Sequence, residues 1–260
     1  MQELMPVVFV GHGSPMNAVQ DNEFTRALGA FAKTIPRPKA VLCVSAHWMT
    51  DGIFLTGSAK PVQIYDFYGF PRELYEVIYS PEGSPTLAKE MLKLLSVFKA
   101  GLDTEWGIDH GAWSVLKHMY PESDIPVIQL SLDAERPEAG HYEMAKKLAD
   151  LRQEGVLILG SGNIVHNLSM IGPDQFSKKV TPWAVEFDRY VKNALDSGDD
   201  GLLINYAENN PNADYAVPTN EHYLPLLYVC ALRKKGEKLN YFYEGFQHSS
   251  LSMRGFSIGA

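Results

Sequence analysis

Short apolar runs rich in β-branched residues recur along the chain as VVFV (7–10), AVLCVSA (40–46), IFLTG (53–57), PVIQLSL (126–132) and VLILGSG (156–162), with a C-terminal pair, LNYFYEGF and LSMRGFSIG. Runs this short, apolar without strict alternation, suit strands buried on both faces. Helical spacing fills the gaps between them. Phe24, Leu28, Phe31 and Ile35 form one stripe, and in SPTLAKEMLKLLSVF the residues Leu87, Met91, Leu94 and Phe98 share a face behind Ser84 as N-cap and Pro85 at the first helical position. PEAGHYEMAKKLADLRQEG and TPWAVEFDRYVKNALDSG read as helices closing near glycine. Strands alternating with helices predict an α/β fold. The expectation is a single domain over residues 1–260, with a central, largely parallel (mixed) sheet covered by helices on both faces and antiparallel C-terminal strands at its edge.

Two kinds of segment break this pattern. In TNEHYLPLLYVCALRKKG one apolar stripe runs through Leu224, Leu227, Tyr228 and Ala231 and a second through Leu226, Val229 and Cys230, which predicts a helix buried on most sides. KPVQIYDFYGFPRELYEVIYSPEGSP and NYAENNPNADYAVPT are long, aromatic and without clear period, so they read as functional loops.

Composition narrows the class. With 260 residues, 45% of them hydrophobic, the chain can bury a sizeable core. A net charge of −8, with no basic block longer than RKK at 233–235, predicts no nucleic-acid partner. Cys43 and Cys230 sit in apolar runs, which suggests a reducing compartment without disulfides. No run approaches the roughly 20 apolar residues of a membrane span, and the N-terminus lacks a basic leader, so a soluble, cytoplasmic monomer is expected.

Histidine placement carries the chemistry. Of eight histidines, His12 follows VVFVG, His47 follows VLCVSA, His166 follows VLILGSGNIV, and His222 opens the buried helix. Ligands of open α/β sheets bind beyond the carboxyl ends of parallel strands, and neutral imidazole is a common transition-metal ligand. Pooled, these positions favour a metal site over hydrogen-bonded structural roles. Gly11 and Gly13 beside His12 are read as leaving room for a ligand. Without a nearby cysteine, Fe(II) or Zn(II) suits the set.

GIDHGAW admits two readings: His110 as an acid or base on a loop, or Asp109 as a helix cap with His110 merely packed. His118, His141 and His248 are placed on helix surfaces or a hairpin turn, without chemistry. GHGS lacks the arginine of a histidine phosphatase, LGSGNIVH lacks the spacing of a dinucleotide fingerprint, and no GxSxG elbow occurs.

GHGSP, SAHW, YDFYGFP, DHGAW, SGNIVHN and PTNEHYLPLL, in this order and spanning essentially the whole chain, resemble the class III extradiol ring-cleavage dioxygenases, most closely their DOPA 4,5-dioxygenase branch. The resemblance implies His12, His47 and His222 as ligands of one divalent metal per chain, Fe(II) or Zn(II). Glu221, adjacent to His222, stands where other branches carry a carboxylate ligand. His166 is implied as the catalytic base of ordinary pKa, or as a fourth ligand, and His110 as a second active-site histidine. Tyr65, Phe67 and Tyr68 would stack on a catechol ring or simply pack their loop. The implied partners are a small catechol and O2, with DOPA opened between carbons 4 and 5 to a seco-DOPA that cyclises to betalamic acid. Two rivals remain at this level: a zinc hydrolase and a non-enzymatic binding protein of the same fold.

Overall fold

Alternation within each apolar run assigns its side chains to one layer or the other. In the computed structural model, which describes residues 4–260, β1 (Val7–Gly11) sends Val7 and Phe9 to one face of the sheet and Val8 and Val10 to the opposite face. β2 (Ala40–Thr50), β5 (Val127–Asp133) and β6 (Val156–Gly162) divide in the same way. The first face is packed by the helices Pro85–Leu94, Glu138–Ala145, Pro182–Ser197 and Leu224–Cys230. The second is packed by Glu23–Ala32 and His110–Met119.

With β3 (Phe54–Thr56), β4 (Gly101–Asp103), β7 (Leu239–Tyr243) and β10 (Gly255–Ile258), these strands make an eight-stranded sheet of order β4-β3-β5-β2-β6-β1-β10-β7. The central four are parallel, whereas β10 pairs antiparallel with β1 and with the edge strand β7. A separate small antiparallel pair joins β8 (Phe246–Gln247) to β9 (Leu251–Ser252). The expected single α/β domain is therefore what the chain forms.

Local signals account for most boundaries. Asn22 and Thr25 form a reciprocal capping box, Ser84 accepts from the Leu87 amide, and Gly198, at φ 69°, closes the long helix that Pro182 opens. The helix after Ser84 buries Ala88, Met91 and Leu95, so its face is rotated from the expected stripe. The Asn/Asp-rich stretch read as a loop contains two short helices, Tyr206–Asn209 and Ala213–Ala216. β2 runs past its expected end to Thr50. Its register against β5 jumps between Val44 and Met49, so His47 sits in a bulge of the strand rather than after it.

His141 corrects another expectation, because it is fully buried rather than on a helix surface. Its Nε2–H donates to the Asp133 carbonyl at 3.2 Å, leaving Nδ1 to accept from the Tyr228 hydroxyl at 2.9 Å. Burial pushes its pKa down to about 4, against 6.5 for a free imidazole. Between those values the unfolded chain holds a proton that the folded one does not. The stability linked to His141 is thus complete above pH ~6.5 and declines as pH falls towards ~4, by up to ~1.4 kcal/mol per pH unit. Urea unfolding of metal-free protein at pH 7, 6 and 5 checks this: His141→Gln is expected to flatten the decline, and equal slopes for the two proteins would refute the linkage.

Candidate active site

The crevice beyond the carboxyl ends of β1, β2 and β6 collects the histidines. His12 leaves β1 with its amide on the Gly162 carbonyl at 2.9 Å. Its Nδ1 lies 3.0 Å from Ser161 Oγ, and that hydroxyl donates to the Gly111 carbonyl at 2.6 Å. Ser161 therefore accepts from His12 Nδ1–H, which leaves a lone pair on His12 Nε2. His47 turns Nδ1 to Asp66 Oδ2 at 3.4 Å and holds Nε2 at 3.1 Å from His12 Nε2. His222 turns Nδ1 to Glu221 Oε1 at 3.0 Å, and its Nε2 is buried without a hydrogen-bond partner among the described residues.

One ring nitrogen from each of His12, His47 and His222 lies within 4.8 Å of the others, a donor set that fits one divalent cation. An unpaired buried nitrogen costs about 1–3 kcal/mol, so His222 Nε2 calls for a partner. The 3.1 Å between His12 and His47 is close to the ~3.3 Å separating nitrogens bound tetrahedrally to one zinc-sized ion. Burial, then the neighbouring imidazoles, holds His12 and His222 well below the usual histidine range. For His47, burial and His110 outweigh the opposing pull of Asp66 and Glu221 and bring it to about 3. All three are neutral at pH 7, the form that ligates metal. Asp66 and Glu221 support two of the rings from behind, as carboxylates commonly do for metal-binding histidines.

His166 stacks flat on His222, with ring centroids 3.4 Å apart and planes at 7°. It groups with Glu221 and His222 rather than with His12 and His47. Burial lowers its pKa to about 4, below the ordinary value expected, so the ring stands neutral at pH 7. Of the two readings of GIDHGAW, the helix cap is what the chain forms, and His110 is the buried first residue of that helix rather than part of a loop. Asp109 caps the following helix through the Ala112 amide at 3.1 Å, held by Ser45 Oγ at 2.7 Å and Gln129 Nε2 at 2.6 Å. His110 meanwhile enters the site, 4.0 Å from His47 between ring centroids, with Nδ1 on Asp66 Oδ2 and its amide on Asp66 Oδ1, each at 2.9 Å. Burial alone would raise Asp66, but its bonds to His110 hold the carboxyl below the usual range.

Asp66 is the residue that sequence reading passed over, although it lies inside the quoted YDFYGFP. One carboxylate here bridges His47 and His110. Glu221 and His222 are likewise partners rather than alternatives, because they lie in a turn ahead of the Leu224–Cys230 helix. The glycines flanking His12 admit close packing of the chain: a Cβ on Gly11 would lie 2.6 Å from the Ser252 carbonyl and one on Gly13, at φ 61°, would run into Met253, while Gly13 also lines the cavity.

Above the histidines opens a cavity of about 570 Å³, walled by Met16, Phe67, Tyr68, Phe70, Leu168, Ile171 and Leu251. Tyr68 lines it while 92% exposed. Tyr65 does not line it, because its hydroxyl is tied to the Val77 carbonyl at 2.6 Å and its ring packs edge-on to Trp113. His248, expected to be idle, is on the cavity wall.

A buried, carboxylate-backed histidine cluster at strand ends, opening into an apolar cavity, defines a metal-dependent enzyme of the α/β class. Residues 5–254 match the profile of the catalytic LigB subunit of aromatic ring-opening dioxygenase, and the chain belongs to this family. It is an extradiol aromatic ring-opening dioxygenase, which takes a small molecule and O2. It is 45% identical to the Escherichia coli K12 protein named 4,5-DOPA dioxygenase extradiol, over 98% of this chain and 95% of the relative. It is 42% identical to the Beta vulgaris protein of the same name, over 84% and 83%. A crystal structure of an uncharacterised Escherichia coli K12 protein superposes with a TM-score of 0.85 at 41% identity, covering 98% of this chain and 99% of that one. No helix among the described residues is long and apolar enough to cross a membrane.

Proposed function

We propose that this protein is a cytoplasmic monomer that opens DOPA between carbons 4 and 5, yielding a seco-DOPA that cyclises to betalamic acid, with one Fe(II) per chain as the working metal. The carrying observation is the convergence of His12, His47 and His222, with the buried Nε2 of His222 unpaired among the described residues, beneath a largely apolar cavity of about 570 Å³ that has room for a substituted catechol. Relatives that carry the DOPA name at 35–45% identity support the substrate.

Bound there, Fe(II) would supply the dioxygen chemistry and acidify the catechol hydroxyls, whereas Zn(II) would supply only the second effect. The chain's own residues do the rest. His166, neutral and beside His222, takes a phenolic proton and is placed to return it. His110, whose Nδ1–H donates to Asp66, presents Nε2 as an acceptor for a substrate hydroxyl. Phe67 and Tyr68 cover the ring and keep water from its face. Tyr65 holds the loop that carries them.

Anaerobic loading with Fe(II) or Zn(II), followed by DOPA and then air, tests this reading. Oxygen uptake matching DOPA consumed, with a yellow product, is expected from the Fe(II) form alone. No uptake by fully Fe(II)-loaded protein would refute it and favour a zinc hydrolase.

A further inference from the structure

The cavity also has a far wall, and its chemistry bears on what the ring carries. Among the described residues lining the cavity there is no lysine or arginine, and the only carboxylate, Asp66, is already shared by His47 and His110. A carboxylate on a substrate's side chain would find no lysine or arginine there, and away from the histidines the wall is mostly apolar, with Met16, Leu168, Ile171 and Leu251 beside the uncharged Ser14 and Gln175. Removing an anion from water without a charged partner is costly.

One polar group on that wall is built with care. His248 and Ser249 are consecutive non-glycine residues at φ 50° and 66°, a left-handed pair that costs free energy unless its surroundings enforce it. The enforcement is visible. The His248 amide donates to the Gln175 carbonyl at 2.9 Å, its carbonyl accepts from the Gly172 amide at 2.7 Å, and the Ser249 carbonyl accepts from the Thr181 amide at 2.9 Å. His248 Nδ1 lies 3.0 Å from the Gly172 carbonyl, which can only accept, so Nδ1 carries a proton. Nε2 is the ring nitrogen left for a ligand, and with the Gly172 carbonyl holding Nδ1–H it can offer its lone pair.

We infer that His248 is a substrate-recognition residue, and that the catechol bound here carries a hydrogen-bond-donating, non-anionic group on its side chain, an amine above all. This rests on the ring-opening reading and sharpens it: DOPA is recognised through its amino group, and its carboxylate is dispensable. Strain at His248 then has a use, since only the left-handed turn sets an imidazole at this point of the wall.

Four catechols of similar size separate the possibilities: dopamine, DOPA, 4-ethylcatechol and 3,4-dihydroxyphenylacetate. With Fe(II)-loaded protein in air, kcat/KM for dopamine is expected to equal or exceed that for DOPA. It should exceed 4-ethylcatechol by about tenfold, the worth of one hydrogen bond to a charged donor, with the anionic catechol last. His248→Leu removes the acceptor, and His248→Asn removes its reach while tolerating the left-handed backbone. In either variant the dopamine preference over 4-ethylcatechol should shrink to within about twofold. Calorimetric titration of the same four into Zn(II)-loaded protein under argon reads the same order without turnover. The inference is overturned if 3,4-dihydroxyphenylacetate matches dopamine, or if a folded His248 variant keeps the tenfold preference. The expected binding order without cleavage of any catechol would instead refute the ring-opening reading, and absence of binding by all four would refute both.

Discussion

His222→Ala is expected to abolish metal retention and ring opening together. The ring it removes owns the buried Nε2 that has no partner among the described residues, and the other two nitrogens, 3.1 Å apart, do not make a site alone. Supporting carboxylates behind such ligands typically contribute 10–100-fold in metal affinity, so loss of a ligand should exceed ~100-fold while Glu221→Gln stays within that range. His12→Ala and His47→Ala should behave like His222→Ala, because each supplies one of the three converging atoms. Metal content by mass spectrometry after gel filtration, alongside oxygen uptake, separates the groups. Full metal stoichiometry in any of the three alanine variants would remove that histidine from the ligand set.

Why these histidines could be found in the sequence at all is a matter of fold physics. A run such as VVFV or VLILG announces a covered strand, and the residue where the run stops must lie near the sheet's carboxyl end, so His12 and the His166 segment were placed by the strands alone. His47 was reached by the same logic although β2 continues beyond it, because the bulge between Val44 and Met49 turns the chain at the same height. Asp66 carries no such marker: it sits in an aromatic loop without period, and its role exists only through contacts with His110, 44 residues away. His141, expected on a helix surface, departs from local pattern for the opposite reason, whereas His248 does stand in the hairpin turn between β8 and β9. Local pattern cannot show that one is covered by Tyr228, 87 residues on, or that the other's turn is braced by Gly172 and Gln175. β4, three residues long and half-buried, has too few positions to alternate. What pairs across long separations is settled by packing, and those residues are the ones that tune the site.

His166→Phe is the substitution that isolates the proton-transfer step. A phenyl ring can keep the flat 3.4 Å stack on His222, so the ligand set should hold its metal at wild-type stoichiometry while the only lost group is an imidazole. A positioned base contributes about 10²–10⁴-fold, and kcat is expected to fall by that factor with KM changed much less. Loss of metal in this variant would instead make His166 a fourth ligand, and a kcat within about threefold of wild type would end its role as base. The choice of substrate adds a check that a structural defect could not mimic. If His166 takes a phenolic proton, a catechol that is already more acidic needs the base less, so the defect measured with 4-nitrocatechol should be smaller than with 4-ethylcatechol. Equal defects on the two would mean that the imidazole acts on some other step. Burial, which lowers the His166 pKa to about 4, leaves the ring neutral and able to accept a proton at pH 7 but only as a weak base, so the transfer depends on a phenol that a bound metal would acidify. A base poised beside the ligands, rather than among them, can accept a proton without giving up a bond to the metal.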